Sequence, residues 1–468
     1  MQTELPRTEP CYISRLPCEV WLNILSSHGL SSRDLVAVEN TSIFFRIPQK
    51  LFNGASITEE SARVAITLDF KRFGQFCSKR EGFESWKHVL NLVEQLNHTS
   101  RKLASGAFQN LFVTPNSQLL SWGAGKLGQL GNGKREDNNN VSDITRSFLP
   151  PAERIVHVSA GLAHGMVVTD SGSVYAIGDG RYYQTGMGNK AVLLNPLIVT
   201  PIHQHHVIQT SCGGSHSLFL TDMGDVYSVG YGEQGQLGLG LGANTGSTSI
   251  PKKIELMDNS VIISISSTVT HNILLTLQGS VYAFGLRVEG MLGIETSMST
   301  AGPHITDSVA FKPVKIPNLE NIREVTACPG RSICIDKRGR VYTFGTCRKG
   351  SLGHGDTRPQ KTPKIVEALL EYKIAHAFGG ALVSIFLTDE GHPFWCGYGM
   401  GEMYEFPTCL PTCIRVPEKI IGASIGDSHI LLLSQNNNIY SVGMNTRGQT
   451  GHDISIQKID KFTRFHYS

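Results

Sequence analysis

The chain has 468 residues, and a hydrophobic content of 40% is enough for a sizeable core. Its net charge is only +3 and no Lys/Arg cluster runs along any segment, which argues against nucleic acid as a partner. No apolar run approaches the ~18–20 residues that span a bilayer, and the N-terminus lacks a charged-then-apolar leader. A cytoplasmic and/or nuclear protein with reduced cysteines and no membrane partner is therefore expected.

In chain order, residues 1–50 read as helical. Val20, Trp21, Ile24 and Leu25 share one face at helical spacing, and Pro17 suits the first turn. Ser31 caps a second helix through Leu35 and Val38, with Asp34 as its acidic partner. Asn40-Thr41-Ser42-Ile43-Phe44-Phe45 gives a short third. Residues 51–100 read as a helical linker: Ser56 and Glu59 form a capping box, and Trp86, Val89, Leu90, Val93 and Leu96 form one stripe. An all-α N-terminal domain is expected.

From residue 101 onward the pattern changes. A Gly-x-Val-Tyr-x-x-Gly signature recurs, closing on Gly123, Gly178, Gly230, Gly285, Gly345, Gly397 and Gly443. The intervals are 55, 52, 55, 60, 52 and 46 residues, so the segment is a repeat array. Within a copy, stretches such as Leu218-Phe-Leu-Thr221 and Val226-Tyr-Ser-Val229 flank a Gly turn and predict a β-hairpin. Seven such units predict an all-β seven-bladed propeller over 101–468. The turn position holds Gly172, Gly224, Gly279, Gly339 and Gly391, with Asn437 in the last copy; Ser117 in the first points to a different turn. The aromatic position (Tyr175, Tyr227, Tyr282, Tyr342, Phe394, Tyr440; Leu120 in copy one) should pack between blades. A closing Gly-Gln-Leu-Gly stands at Gly128 and Gly235, survives in part at Gly290, Gly350 and Gly448, is spoiled at Tyr183 and is lost at Glu402 to Glu405.

His164, His216, His271 and His429 share one position, replaced by Gln109, Arg331 and Val383 in the other copies. An open ring of this kind is no metal site; a bond to neighbouring backbone is expected. His203-Gln-His205-His206 and Cys409-Leu-Pro-Thr-Cys413 have too few ligands for a metal. No phosphate loop, nucleophile elbow or zinc motif occurs, so neither catalysis nor a cofactor is expected. Stretches after the Gly-Gln-Leu-Gly position (Gly133 to Pro151, Lys190 to His206, Gly240 to Lys253, Ile294 to Pro317, Gly401 to Pro417) should be loops on one rim, available for recognition. Ile454 to Phe462 alternates and should pair with the first blade near Leu103 as a latch.

These copies, from about Lys102 to Gly451, resemble the regulator of chromosome condensation repeat family, which implies seven four-stranded blades. Residues 12–47 resemble an F-box through Leu16, Pro17, Val20, Ile24, Leu25, Asp34, Leu35, Val38 and Phe45, although Asn40-Thr41-Ser42 stands where that family usually offers Cys and Arg. That resemblance implies docking of Leu16, Pro17, Val20, Trp21, Ile24, Leu25 and Leu35 onto the small adaptor subunit of a cullin-based (SCF-type) ubiquitin ligase. The expected function is then a non-catalytic adaptor whose rim loops recruit a protein substrate. The alternatives are guanine-nucleotide exchange on a small GTPase, as for the family's founder, or a scaffold without ligase association. The family's ultraviolet-B photoreceptor branch needs clustered tryptophans, and the repeats hold only Trp122 and Trp395.

Overall fold

Each copy of the repeat folds into one antiparallel sheet, strands in sequence order, and the described residues form seven such sheets of four strands. The computed structural model describes residues 102–240, 246–258, 260–295, 308–399 and 407–467. The blades span 103–143, 155–198, 207–253, 262–315, 322–365, 374–413 and 420–465. The expected helices of 1–50 and 51–100, and the all-α domain they would form, lie outside the described residues.

Burial explains the strand order. The second strand of blade 3, His216–Thr221, is buried at all six positions. A strand can be apolar on both faces only when other blades cover both. First strands of adjacent blades touch all the way round, so they line the axis. The aromatic position packs between blades as expected: Tyr175 lies with Leu111 and Val113 of blade 1, and Tyr440 with Val383 and Ile385 of blade 6.

All seven hairpin turns use the left-handed region. Gly224 has φ 74°, Asn437 62° and Ser117 60°, and the Ser117 N–H bonds Thr114 O at 2.9 Å just as Gly224 bonds Thr221 O at 3.0 Å. Ser117 therefore does not mark a different turn. A short polar side chain tolerates the conformation that glycine adopts freely.

The outer strands correct the rim-loop reading. The stretch from Lys190 to His206 contains the strand Leu193–Ile198, Gly240 to Lys253 contains Thr248–Lys253, and Gly401 to Pro417 contains Thr408–Cys413. What remains of each insert is divided between the two ends of a strand, hence between the two faces of the disc. Five outer strands carry proline at one register: Pro196, Pro251, Pro313, Pro363 and Pro411. Each sits where ladder pairing is irregular, as Pro251 does between the pairs Ser228–Lys252 and Gly230–Thr248. Proline there loses no ladder bond and blunts the exposed edge.

The latch is also corrected. The last strand is Lys458–Phe465, and it pairs with Ile439–Met444 of its own blade. Blade 1 takes all four of its strands from 103–143. Side chains close the ring instead: Phe465 stacks at 5.4 Å on Trp122, and Tyr467 meets Phe112 edge-on at 5.1 Å. The Ser105 N–H also donates to Ser424 Oγ at 2.7 Å.

Candidate protein-interaction face

Antiparallel order brings the first-to-second and third-to-fourth connections of every blade to one end of the disc. This loop face rests on a repeated clamp between blades. His216 Nε2 reaches Asn272 Oδ1 of the next blade at 2.8 Å, and Asn272 Nδ2 donates to Gln236 O at 2.8 Å, within the Gly-Gln-Leu-Gly of the first blade. Blade 2 repeats the arrangement with His164, Ser217 and Gln184 O, at 2.9 and 2.7 Å. Blade 4 uses His271, Ser332 and Met291 O, at 3.0 and 2.8 Å. Blade 7 reaches round to blade 1 through His429 and Asn110, at 2.6 Å. Because the Asn or Ser donates onward to a carbonyl, it accepts from the histidine, so the ring carries its proton on Nε2. The expected bond to backbone is thus a bond to a side chain of the next blade.

The substitutions keep this logic. Arg331, fully buried, donates Nε to Ser384 Oγ at 3.0 Å and Nη1 to Ala381 O at 3.2 Å. For Gln109 the acceptor position of the next copy is Gly165, which offers no side chain, and Gln109 donates to Gly161 O at 3.0 Å instead. Val383 faces Ile430, an apolar pair in one cluster. Burial drives the histidines neutral. His164, His271 and His429 fall from 6.5 to about 3, and His216 to about 4, with desolvation the leading cause in each.

Above the clamps the loops are held by their glutamines. Gln184 Oε1 accepts from the Tyr182 N–H at 2.8 Å, as Gln129 does from Leu127 and Gln449 from Arg447. On this scaffold stand Leu162 (38% exposed) and Val269 (40%), next to one another: a Cβ on Gly214 would lie 2.9 Å from Val269 Cγ1 and 3.4 Å from Leu162 Cδ1. Tyr182, half exposed, meets Tyr231 edge-on at 5.8 Å. Arg447 lies over the Phe108 ring at 5.0 Å, and Lys349 over Tyr398 at 5.9 Å. Apolar tips, tyrosines and an arginine sharing one face, on loops fixed by hydrogen bonds, have the composition of a protein-binding surface.

The residues assigned to adaptor binding (Leu16, Pro17, Val20, Trp21, Ile24, Leu25, Leu35) lie outside the described residues. The described residues hold no cluster of three metal-ligating side chains, and their seven cysteines are free. His203 bonds Thr200 O, and the His205 ring stacks on Tyr227 at 4.7 Å. No described helix is long and apolar enough to cross a membrane.

A family model described as the RCC1-like domain matches residues 71–406, and the regulator of chromosome condensation (RCC1) repeat matches 420–449. The chain belongs to the RCC1-like domain family. The first match begins within the stretch read as a helical linker. Among relatives, the ultraviolet-B receptor UVR8 of Arabidopsis thaliana is 29% identical over 76% of this chain and 79% of its own. The human E3 ubiquitin-protein ligase HERC2 is 29% identical over 67% of this chain, which spans only 6% of that ligase. The solved structure of Prp20p from Saccharomyces cerevisiae has the same fold, with TM-score 0.65 at 18% identity over 80% of this chain and 88% of that one. Unlike a clustered set, Trp122 and Trp395 of this RCC1-like propeller are buried in blades 1 and 6.

Proposed function

We propose that the protein is a non-catalytic, substrate-recruiting adaptor of a cullin-based ubiquitin ligase, holding the ligase adaptor subunit through 12–47 and a target protein on the loop face. The observation that carries the second half is the rigid, aromatic and apolar loop face; F-box-like Leu16, Pro17, Val20, Ile24 and Leu25 support the first. A stretch similar to this chain also occurs in a protein named as a ubiquitin ligase. Co-purification of the full chain with the adaptor subunit is the test. Val20→Glu with Ile24→Glu should abolish recovery of the adaptor and leave target cross-links intact. Leu162→Glu with Val269→Glu should do the reverse. Unchanged recovery in the first variant defeats the F-box reading, and unchanged target cross-linking in the second defeats the loop-face reading.

A second reading, nucleotide exchange on a small GTPase, draws on the likeness to Prp20p, whose structure is described together with its binding to Gsp1p. Acceleration of labelled GDP release from a small GTPase by the full chain would favour it, and an unchanged rate would count against it.

A further inference from the structure

Tyr183 is the anomaly of the loop face. It occupies the first position of Gly-Gln-Leu-Gly, where five other copies have Gly128, Gly235, Gly290, Gly350 and Gly448 at φ between 74° and 83°. Tyr183 takes φ 66° at that position. A bulky residue in the left-handed region costs about 1–3 kcal/mol, and such strain persists where the surroundings impose it, often at binding sites. The repeat offers the unstrained solution five times over, and blade 2 departs from it to present an aromatic ring.

The rest of this corner is fixed in advance. Arg181 grips Asp179 through Nε at 2.9 Å and Nη2 at 3.0 Å. Burial pushes the Asp179 carboxyl up, but its bonds from Arg181 outweigh that and hold it below the ordinary value. Tyr231 donates its hydroxyl to Glu233 at 2.5 Å, and Lys190 sits 5.1 Å from the Tyr183 ring centre. Asp179 and Glu233 are therefore already engaged, and Lys190 lies against a ring. The backbone is engaged too: the N–H groups of Arg181, Tyr182 and Tyr183 go to Asp179 Oδ1 (3.0 Å), Gln184 Oε1 (2.8 Å) and Gly180 O (2.8 Å). These three N–H groups are therefore not left for an anion nest or for adding a strand. What the corner offers is three tyrosine rings, Tyr182 exposed and Tyr183 and Tyr231 half-buried.

We propose that this corner of blade 2, with Tyr231 of blade 3, captures a proline-rich segment of a partner protein in the left-handed extended conformation. Such a segment brings flat apolar rings to pack on tyrosine faces, needs no backbone donors from its receptor, and exposes carbonyls that accept from the hydroxyls of Tyr182 and Tyr183. The proposal rests on the loop face being the interaction face, which is tested separately and without peptide.

The experiment titrates a labelled all-proline peptide of about nine residues, and an acidic peptide of equal length, into the full-length chain, read by fluorescence anisotropy. Saturable binding of the proline peptide is expected, weakened at least about tenfold by Tyr182→Ala with Tyr231→Ala. Tyr182→Phe should weaken it less, and Ile421→Ala, remote from the loop face, should leave it unchanged. Three results overturn the proposal: no saturable binding to the wild type, equal binding by the double alanine variant, or binding of the acidic peptide that this variant abolishes. Failure here with target cross-linking still lost in Leu162→Glu/Val269→Glu removes the proline segment and leaves the loop face standing.

Discussion

Acid should unfold this propeller, and the clamp histidines set by how much. His164, His271 and His429 titrate near about 3 when folded and His216 near about 4, against 6.5 when exposed. Between those values the unfolded chain binds one more proton per histidine than the folded chain, so stability rises with pH there. The contribution is fully present above 6.5 and is lost as pH falls toward the folded value. Going from about pH 7 to about pH 5 removes about 2 kcal/mol per histidine, and on the order of 7 kcal/mol for the four. That is comparable with the whole stability of a typical domain, roughly 5–15 kcal/mol. Urea unfolding at the two pH values, followed by tryptophan fluorescence, measures the loss. His271→Gln isolates one member, since blade 1 already uses Gln109 at this position, and a glutamine amide keeps a donor for Ser332. The variant should be nearly as stable as the wild type at neutral pH and lose about 2 kcal/mol less on acidification. An identical pH dependence in wild type and variant would refute the claim that His271 is buried neutral.

Arg331→His should be tolerated within about 1 kcal/mol, because Ser384 and its onward bond to Ser351 O reproduce the partners of the other histidines, while Arg331→Ala should cost about 3–5 kcal/mol by emptying the space of a fully buried side chain and removing the donor to Ala381 O and Val383 O; thermal melts compare them. Tyr183→Gly should raise stability by about 1 kcal/mol through relief of the left-handed strain and weaken proline-peptide binding; a variant that melts lower means the ring is core rather than display. Phe465→Ala should cost about 3–5 kcal/mol and increase hydrogen exchange at the junction of blades 7 and 1, whereas unchanged exchange there would show that the aromatic contacts do not close the ring.

The blades were legible because their signals are local. A hairpin buried on both faces is a dense apolar run, and its turn needs a residue that accepts positive φ, so Gly224 or Asn437 announces it. The outer strands were not legible, because they are half exposed and broken by proline; Thr248-Ser-Ile-Pro-Lys-Lys253 reads as a loop until the neighbouring strand is seen to pair with it. Alternation over 454–462 revealed a strand but said nothing of its neighbour, and the strand joined its own blade. The clamp lay between those cases. Each histidine and its acceptor are 53 or more positions apart, yet their changes run together: Gln109 where the next copy has Gly165, Val383 where it has Ile430. In the sixth copy the Gly-Gln-Leu-Gly is lost from the sequence as well, so the histidine, its acceptor and the motif are all replaced at one junction. Read one position at a time this is decay; read across adjacent copies it is one device kept or discarded whole. The same comparison separates Tyr183 from decay. Glu402 to Glu405 lose the entire motif, whereas blade 2 keeps Gln184 and its bonds to Tyr182 and Ser217; it changes the first glycine to Tyr183 and the leucine to Thr185, a change that the last copy shares at Thr450. A repeat that keeps its clamp while accepting strain at one half-buried position keeps its scaffold and alters a corner of its surface, and that corner is where a partner's specificity is to be sought.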